Sequence, residues 1–60
     1  MNSFKAGDLL HYKEPSGVKV LVLYIADHPR MIHAARVLFI RAGRTYSVNM
    51  MLLEVRDESG

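Results

Sequence analysis

The feature that most constrains this chain is an apolar run, VKVLVLYI, at residues 18–25. The run is rich in β-branched residues, which favour strands, and successive side chains of a strand point to opposite faces. Its apolar residues fall on both faces, whereas a chain of 60 residues builds one domain with a small core. We therefore predict that part of this strand's apolar surface lies outside the core.

Alternation along the run divides it into an inner and an outer set. The inner set is predicted to be Val18, Val20, Val22 and Tyr24, and it fills a core of this size together with inward residues of the other strands. Those residues are predicted to be Leu10, Tyr12, Val37, Phe39, Val48, Leu53 and Val55.

The strand period of two recurs along nearly the whole chain, interrupted by turn residues. An alternative helix over residues 30–43 has apolar residues at helical spacing, but Val37, Phe39 and Ile40 favour a strand and a turn follows at once. The predicted strands are 9–13, 18–25, 35–41, 45–49 and 52–56, with turns at 14–17 and around Gly43, a loop at 26–34, and a short turn or one turn of 3₁₀ helix near Met50.

Five short strands with tight connections predict an all-β fold, a small antiparallel barrel or a strongly bent sheet. The chain is long enough for one domain, predicted to span 1–60 with a core at about 4–56 and a frayed acidic tail at 57–60. There is no cysteine, so no disulfide can stabilise it.

Two long segments carry a resemblance to a known family. FKAGDLLHYKEPSGVKVLVLYI and RVLFIRAGRTYSVNMMLLEV resemble small SH3-like barrels of the KOW and Tudor type, and most of all short proteins of that type encoded by bacteriophages. The resemblance implies a five-stranded SH3-like barrel. It also implies a virion component or an accessory protein that engages a host target, found in the host cytoplasm or in the virion.

The outer face of the predicted barrel is unusually apolar. An exposed apolar patch of a few hundred Å² is typical of an interaction surface, and full burial of each such side chain is worth about 1.5–3 kcal/mol. We expect it to bind protein, either a second copy of the chain or a larger partner, with flanking arginines selecting a polar or acidic surround. The predicted interface residues are Leu21, Leu23, Ile25, Leu38, Ile40, Arg36 and Arg41.

Nucleic-acid binding is the alternative function. Small barrels bind nucleic acid by combining a basic groove with stacking aromatic rings, and this chain has an isoelectric point of about 9.3. The residues that would carry this function are Arg30, Arg41, Arg44 and Tyr46.

Catalysis is not predicted, because no nucleophile has a base at a recognisable spacing and no glycine-rich phosphate loop is present. Asp27, His28 and His33 could be considered as metal ligands, but we interpret them as solvated loop residues. We therefore expect no metal, cofactor or small-molecule substrate. The chain has neither an apolar run of about 20 residues nor an apolar signal core in MNSFKAGD, so no membrane association or export is expected.

Overall fold

The structure is a computed structural model that describes residues 4–56. It contains five antiparallel strands in one sheet, so the predicted all-β class is confirmed. The elements are β1 (Leu9–Lys13), β2 (Lys19–Asp27), β3 (Ala34–Phe39), β4 (Arg44–Asn49), a 3₁₀ helix η1 (Met50–Leu52) and β5 (Leu53–Val55). The predicted tail at 57–60 lies outside the described residues.

The sheet has the strand order β4-β3-β2-β1-β5, so β4 and β5 form its two edges. In a flat sheet these edges would be about 19 Å apart, because neighbouring strands are about 4.8 Å apart. They are nevertheless joined by the three residues of η1, which span only about 6 Å. The sheet must therefore curl strongly, although the described part of the chain has no β4–β5 ladder.

The turn between β1 and β2 explains how the long second strand begins. Gly17 donates its N–H to the carbonyl of Glu14, and Glu14 donates its N–H to the carbonyl of Val18, each at 2.8 Å. Pro15 supplies the fixed φ of a turn, and Gly17 adopts φ 95°, where a side chain would be strained. The predicted turn is confirmed, and it sets the register in which Leu10 faces Val22.

The core lies on the concave face and contains alternate residues of the strands. Val22 and Val37 have no exposed surface, and Tyr24 is 2% exposed, in agreement with the alternation. The buried cluster is Leu10, Val22, Tyr24, Ala35, Val37, Val48 and Leu53, against which Phe4, Tyr12, Val20, Phe39 and Met50 pack.

Two residues that were predicted to face the core, Val18 and Val55, are exposed instead. Val18 is 54% exposed because it precedes β2 and belongs to the turn, and Val55 is 72% exposed because it ends the short edge strand. The third strand also ends earlier than predicted. Residues 40–43 form the turn to β4, where Gly43 donates its N–H to the carbonyl of Phe39 at 2.8 Å, so Ile40 and Arg41 are turn residues.

The alternative helix over residues 30–43 is absent, since residues 34–39 form β3. Both neighbours of β3 bond to it along its length, and this pairing outweighs the helical spacing of its apolar residues. Within residues 4–56 the only helix is η1, and it lacks the combination of length and hydropathy needed to cross a membrane.

Candidate protein-binding surface

A row of leucines crosses the convex face of the sheet. Leu9 of β1 lies opposite Leu23 of β2, which lies opposite Leu38 of β3. Paired residues of antiparallel strands share a face, and their Cβ atoms are about 5 Å apart. Because Val22 and Val37 are buried on the other face, this row lies outside the core. We call it, with Leu21, Ile25 and Ile40, the outer apolar surface.

The members of the outer apolar surface are accessible to different degrees. Leu9, Leu21, Ile25 and Ile40 are 37–41% exposed, while Leu23 and Leu38 are partly buried by their neighbours at the centre of the face. Ile25 occupies a bulge, since Tyr24 pairs with Val37 and Ala26 pairs with Arg36, the residue that precedes Val37 in β3. The bulge leaves Ile25 without a cross-strand neighbour on β3.

The two arginines predicted to flank this surface lie at its opposite ends. Arg36 is exposed on β3, opposite Ala26 and Ser47, and is two residues from Leu38 on the same face. Arg41 is exposed in the turn that follows β3, next to Ile40. The structure therefore brings the predicted interface residues together on one face and its adjoining turn.

A cleft opens at the end of the outer apolar surface, where the 14–18 and 40–43 turns approach each other. Its volume is about 540 Å³, and Leu21 and Ile40 contribute apolar lining. Lys19, Arg41 and His11 also line it, with Glu14 as the acidic exception. The cleft therefore offers an apolar site with a mostly basic rim.

An ion pair borders the cleft. The Lys19 Nζ of β2 lies 3.0 Å from the Glu54 Oε1 of β5, so the two side chains meet across β1. The hydrogen bond and the positive charge of Lys19 hold the pKa of Glu54 below its ordinary value. Burial opposes this lowering, and Lys13 and His11 add smaller contributions to it. Both side chains remain about half exposed, so the pair adds little stability.

The loop between β2 and β3 is organised by His28. Its Nδ1 accepts hydrogen bonds from the N–H groups of Arg30 and Met31, both at 3.1 Å. Asp27 accepts a hydrogen bond from the Tyr24 hydroxyl. These side chains therefore have structural partners, and no group of three or more potential metal ligands occurs within residues 4–56.

The four residues of the nucleic-acid alternative do not form one patch. Arg30 lies in the loop before β3, whereas Arg41 and Arg44 lie at its other end, about 20 Å away for a six-residue strand. Tyr46 shares the concave face with Arg44, and its ring packs edge-on against Phe39 at a centroid distance of 5.2 Å. Only three of the four residues are thus close to one another.

The chain has no match among family models, curated proteins or solved structures.

The sequence reasoning missed Leu9 and His11. Leu9 extends the leucine row onto β1, and His11 lies between Leu21 and Glu54 on the same face. Strand alternation already placed both residues opposite to Leu10, but only the register of the first hairpin shows which residues they adjoin. That register was the missing signal.

Proposed function

We propose that this protein is a small SH3-like barrel that binds another protein through its outer apolar surface. The observation that carries the proposal is the contiguous Leu9–Leu23–Leu38 row on the convex face of a sheet whose concave face is already filled. The barrel assignment is supported by the three-residue connection between the sheet edges. The resemblance to phage proteins supports a role in the virion or in engaging a host target.

The chemistry of the surface specifies the kind of partner. The leucine row favours an apolar segment of a folded protein, because burying each side chain fully is worth about 1.5–3 kcal/mol. Arg36 and Arg41 favour acidic groups at the margin of that segment, since rim charges of opposite sign speed association and align the two proteins. The cleft beside Leu21 and Ile40 accepts one projecting apolar side chain.

The test uses a photo-crosslinking amino acid placed at Leu23 or, as a matched control, at Val55, in the cell that normally makes the protein. Val55 is apolar and is more exposed than any residue of the outer apolar surface, but it lies on the edge strand β5. We expect a discrete protein adduct from position 23 that is absent from position 55. The proposal is wrong if position 23 gives no adduct, or if both positions give the same one.

A second experiment separates binding from folding. Leu23→Asp should retain the β-sheet circular dichroism spectrum and lose the adduct formed by a crosslinker placed at the neighbouring Leu38. If the variant unfolds, Leu23 has a structural role that the proposed surface does not include. If it stays folded and still forms the adduct, the surface is not the binding site.

Nucleic-acid binding remains the second candidate, on the basis of Arg41, Arg44 and the half-exposed Tyr46 at one end of the sheet. It predicts a gel shift with single-stranded DNA or RNA that weakens steeply between 50 and 200 mM salt, roughly as expected for phosphate contacts. Arg44→Ala should weaken it, and Arg30→Ala should have little effect. No shift at low salt removes this candidate.

A further inference from the structure

The two edges of the sheet differ in a way that concerns self-association. The β5 edge is three residues long and its central residue, Glu54, is held in an ion pair. The β4 edge is six residues long, contains no proline, and has no charged residue after Arg44. Exposed strand edges are normally protected by shortness, charge, proline or a bulge, and β4 has none of these along Thr45–Asn49.

The register with β3 identifies which main-chain groups of β4 face outward. Met50 donates its N–H to the carbonyl of His33 at 2.7 Å, so the residues of β4 that bond to β3 are the even-numbered ones. The N–H and C=O groups of Thr45, Ser47 and Asn49 therefore point away from the sheet. Within residues 4–56 no other strand covers them.

We propose that β4 pairs antiparallel with β4 of a second copy, forming a two-fold dimer centred on Ser47. In this register Ser47 faces Ser47 of the second copy, and Thr45 faces Asn49. Each of the three outward residues then exchanges a pair of main-chain hydrogen bonds with its counterpart. The charged Arg44 falls beyond the paired segment, so the two positive charges lie at opposite ends of the interface.

The same register makes the side-chain contacts reciprocal. Tyr46, which is 48% exposed, lies opposite Val48 of the second copy on the concave face. Val48 lines an apolar groove of about 320 Å³ together with Met31 and Ile32, and Ile32 is 83% exposed. Each copy thus presents one aromatic ring and one apolar groove, which is the self-complementarity that a two-fold interface requires.

The dimer interface is large enough only if the paired β4 strands and the contacts of Tyr46 with the Met31–Ile32 groove are counted together. A specific interface buries at least about 1,000 Å² in total, or ~500 Å² per copy, roughly a tenth of the 4630 Å² surface of the chain. Five paired residues of one edge strand supply part of this area. Tyr46 and the Met31–Ile32 groove supply the remainder, so the dimer depends on them.

The test exploits the two-fold axis at Ser47. Wild-type protein should sediment at twice the chain mass of 6.8 kDa. Both Ser47→Lys and Ser47→Glu should weaken the dimer at least tenfold, because each places two like charges face to face, while an equimolar mixture should restore it. Ser16→Lys, the same substitution in an exposed turn, should leave the dimer intact.

The proposal is overturned if the wild type is a monomer at millimolar concentration, or if the mixture of the two variants remains monomeric. It is also overturned if the N–H groups of Thr45 and Ser47 exchange with solvent at a rate independent of protein concentration. Because this exchange rate is measured on the wild-type protein, it does not depend on whether a variant folds.

The dimer has a consequence that rests on the proposed function. The two-fold axis is perpendicular to the sheet, so both outer apolar surfaces lie on the same side of a ten-stranded sheet. A single large partner can then contact both. Leu23→Asp should abolish partner binding and leave the dimer intact. Ser47→Lys should disrupt the dimer and leave partner binding by each monomer intact. Failure of one proposal is therefore distinguishable from failure of the other.

Discussion

Leu23 lies directly opposite Leu38 in the β2–β3 ladder, and both side chains are on the face of the sheet away from the core. Two large aliphatic residues in register on a convex surface contribute little to the interior of this domain. Substitutions on this outer face should therefore affect stability less than substitutions in the core. Val22 and Leu21, which are neighbours on β2, allow that comparison.

Adjacent aspartate substitutions on β2 should destabilise the fold to very different degrees. Val22→Asp places an unpaired carboxylate in the core, at a position with no exposed surface, and should cost on the order of 4 kcal/mol, enough to unfold a small domain. Leu21→Asp, at the exposed neighbour, should cost about 1 kcal/mol or less. Urea titration followed by circular dichroism measures both, and equal losses would contradict the two-faced description of β2.

The hydroxyl of Tyr24 should make a measurable contribution to stability. The side chain is 2% exposed and donates a hydrogen bond to Asp27, which belongs to the same strand. Tyr24→Phe should lower the free energy of unfolding by about 1 kcal/mol, and Tyr24→Ala by about 3–5 kcal/mol, because the latter also leaves a cavity. Chemical denaturation distinguishes the two, and a Tyr24→Phe variant as stable as wild type would show that the hydrogen bond is dispensable.

The imidazole of His28 should be replaceable by asparagine in the β2–β3 loop. His28→Asn keeps a side-chain acceptor for the N–H groups of Arg30 and Met31, whereas His28→Ala removes it. We expect His28→Ala to destabilise the protein by about 1 kcal/mol and to speed amide exchange at residues 30 and 31. The asparagine variant is the matched control; if it behaves like the alanine variant, the Nδ1 contacts do not organise the loop.

The Lys19–Glu54 pair should make stability depend on acid pH. Because the folded protein holds the pKa of Glu54 below its ordinary value of 4.5, the pair stabilises the fold fully above that pH. Its contribution is lost as the pH falls through the lowered pKa. Glu54→Gln should therefore melt slightly below wild type at pH 7 and should match it near pH 2, as measured by thermal unfolding. A melting-temperature difference that persists unchanged at acid pH would contradict this assignment.

Local sequence accounts for most of the secondary structure. The turn formed by Pro15, Ser16 and Gly17 fixed the end of β1 at Lys13, where it was predicted, because those residues have few other conformations available. The end of β3 was predicted two residues too late. Ile40 and Arg41 continue the apolar alternation, and only their closure around Gly43 shows that they have left the ladder.

The sequence by itself determined that apolar residues exceed what one small core can hold, because the alternation along residues 18–25 makes both faces of a strand apolar. Tertiary structure decided which of them are neighbours. Strand pairing placed Leu9 beside Leu23, bulged the chain at Ile25 and separated Arg30 from Arg44 by the length of β3. Such contacts depend on register between distant segments, and register is fixed only when the strands hydrogen-bond and the core closes.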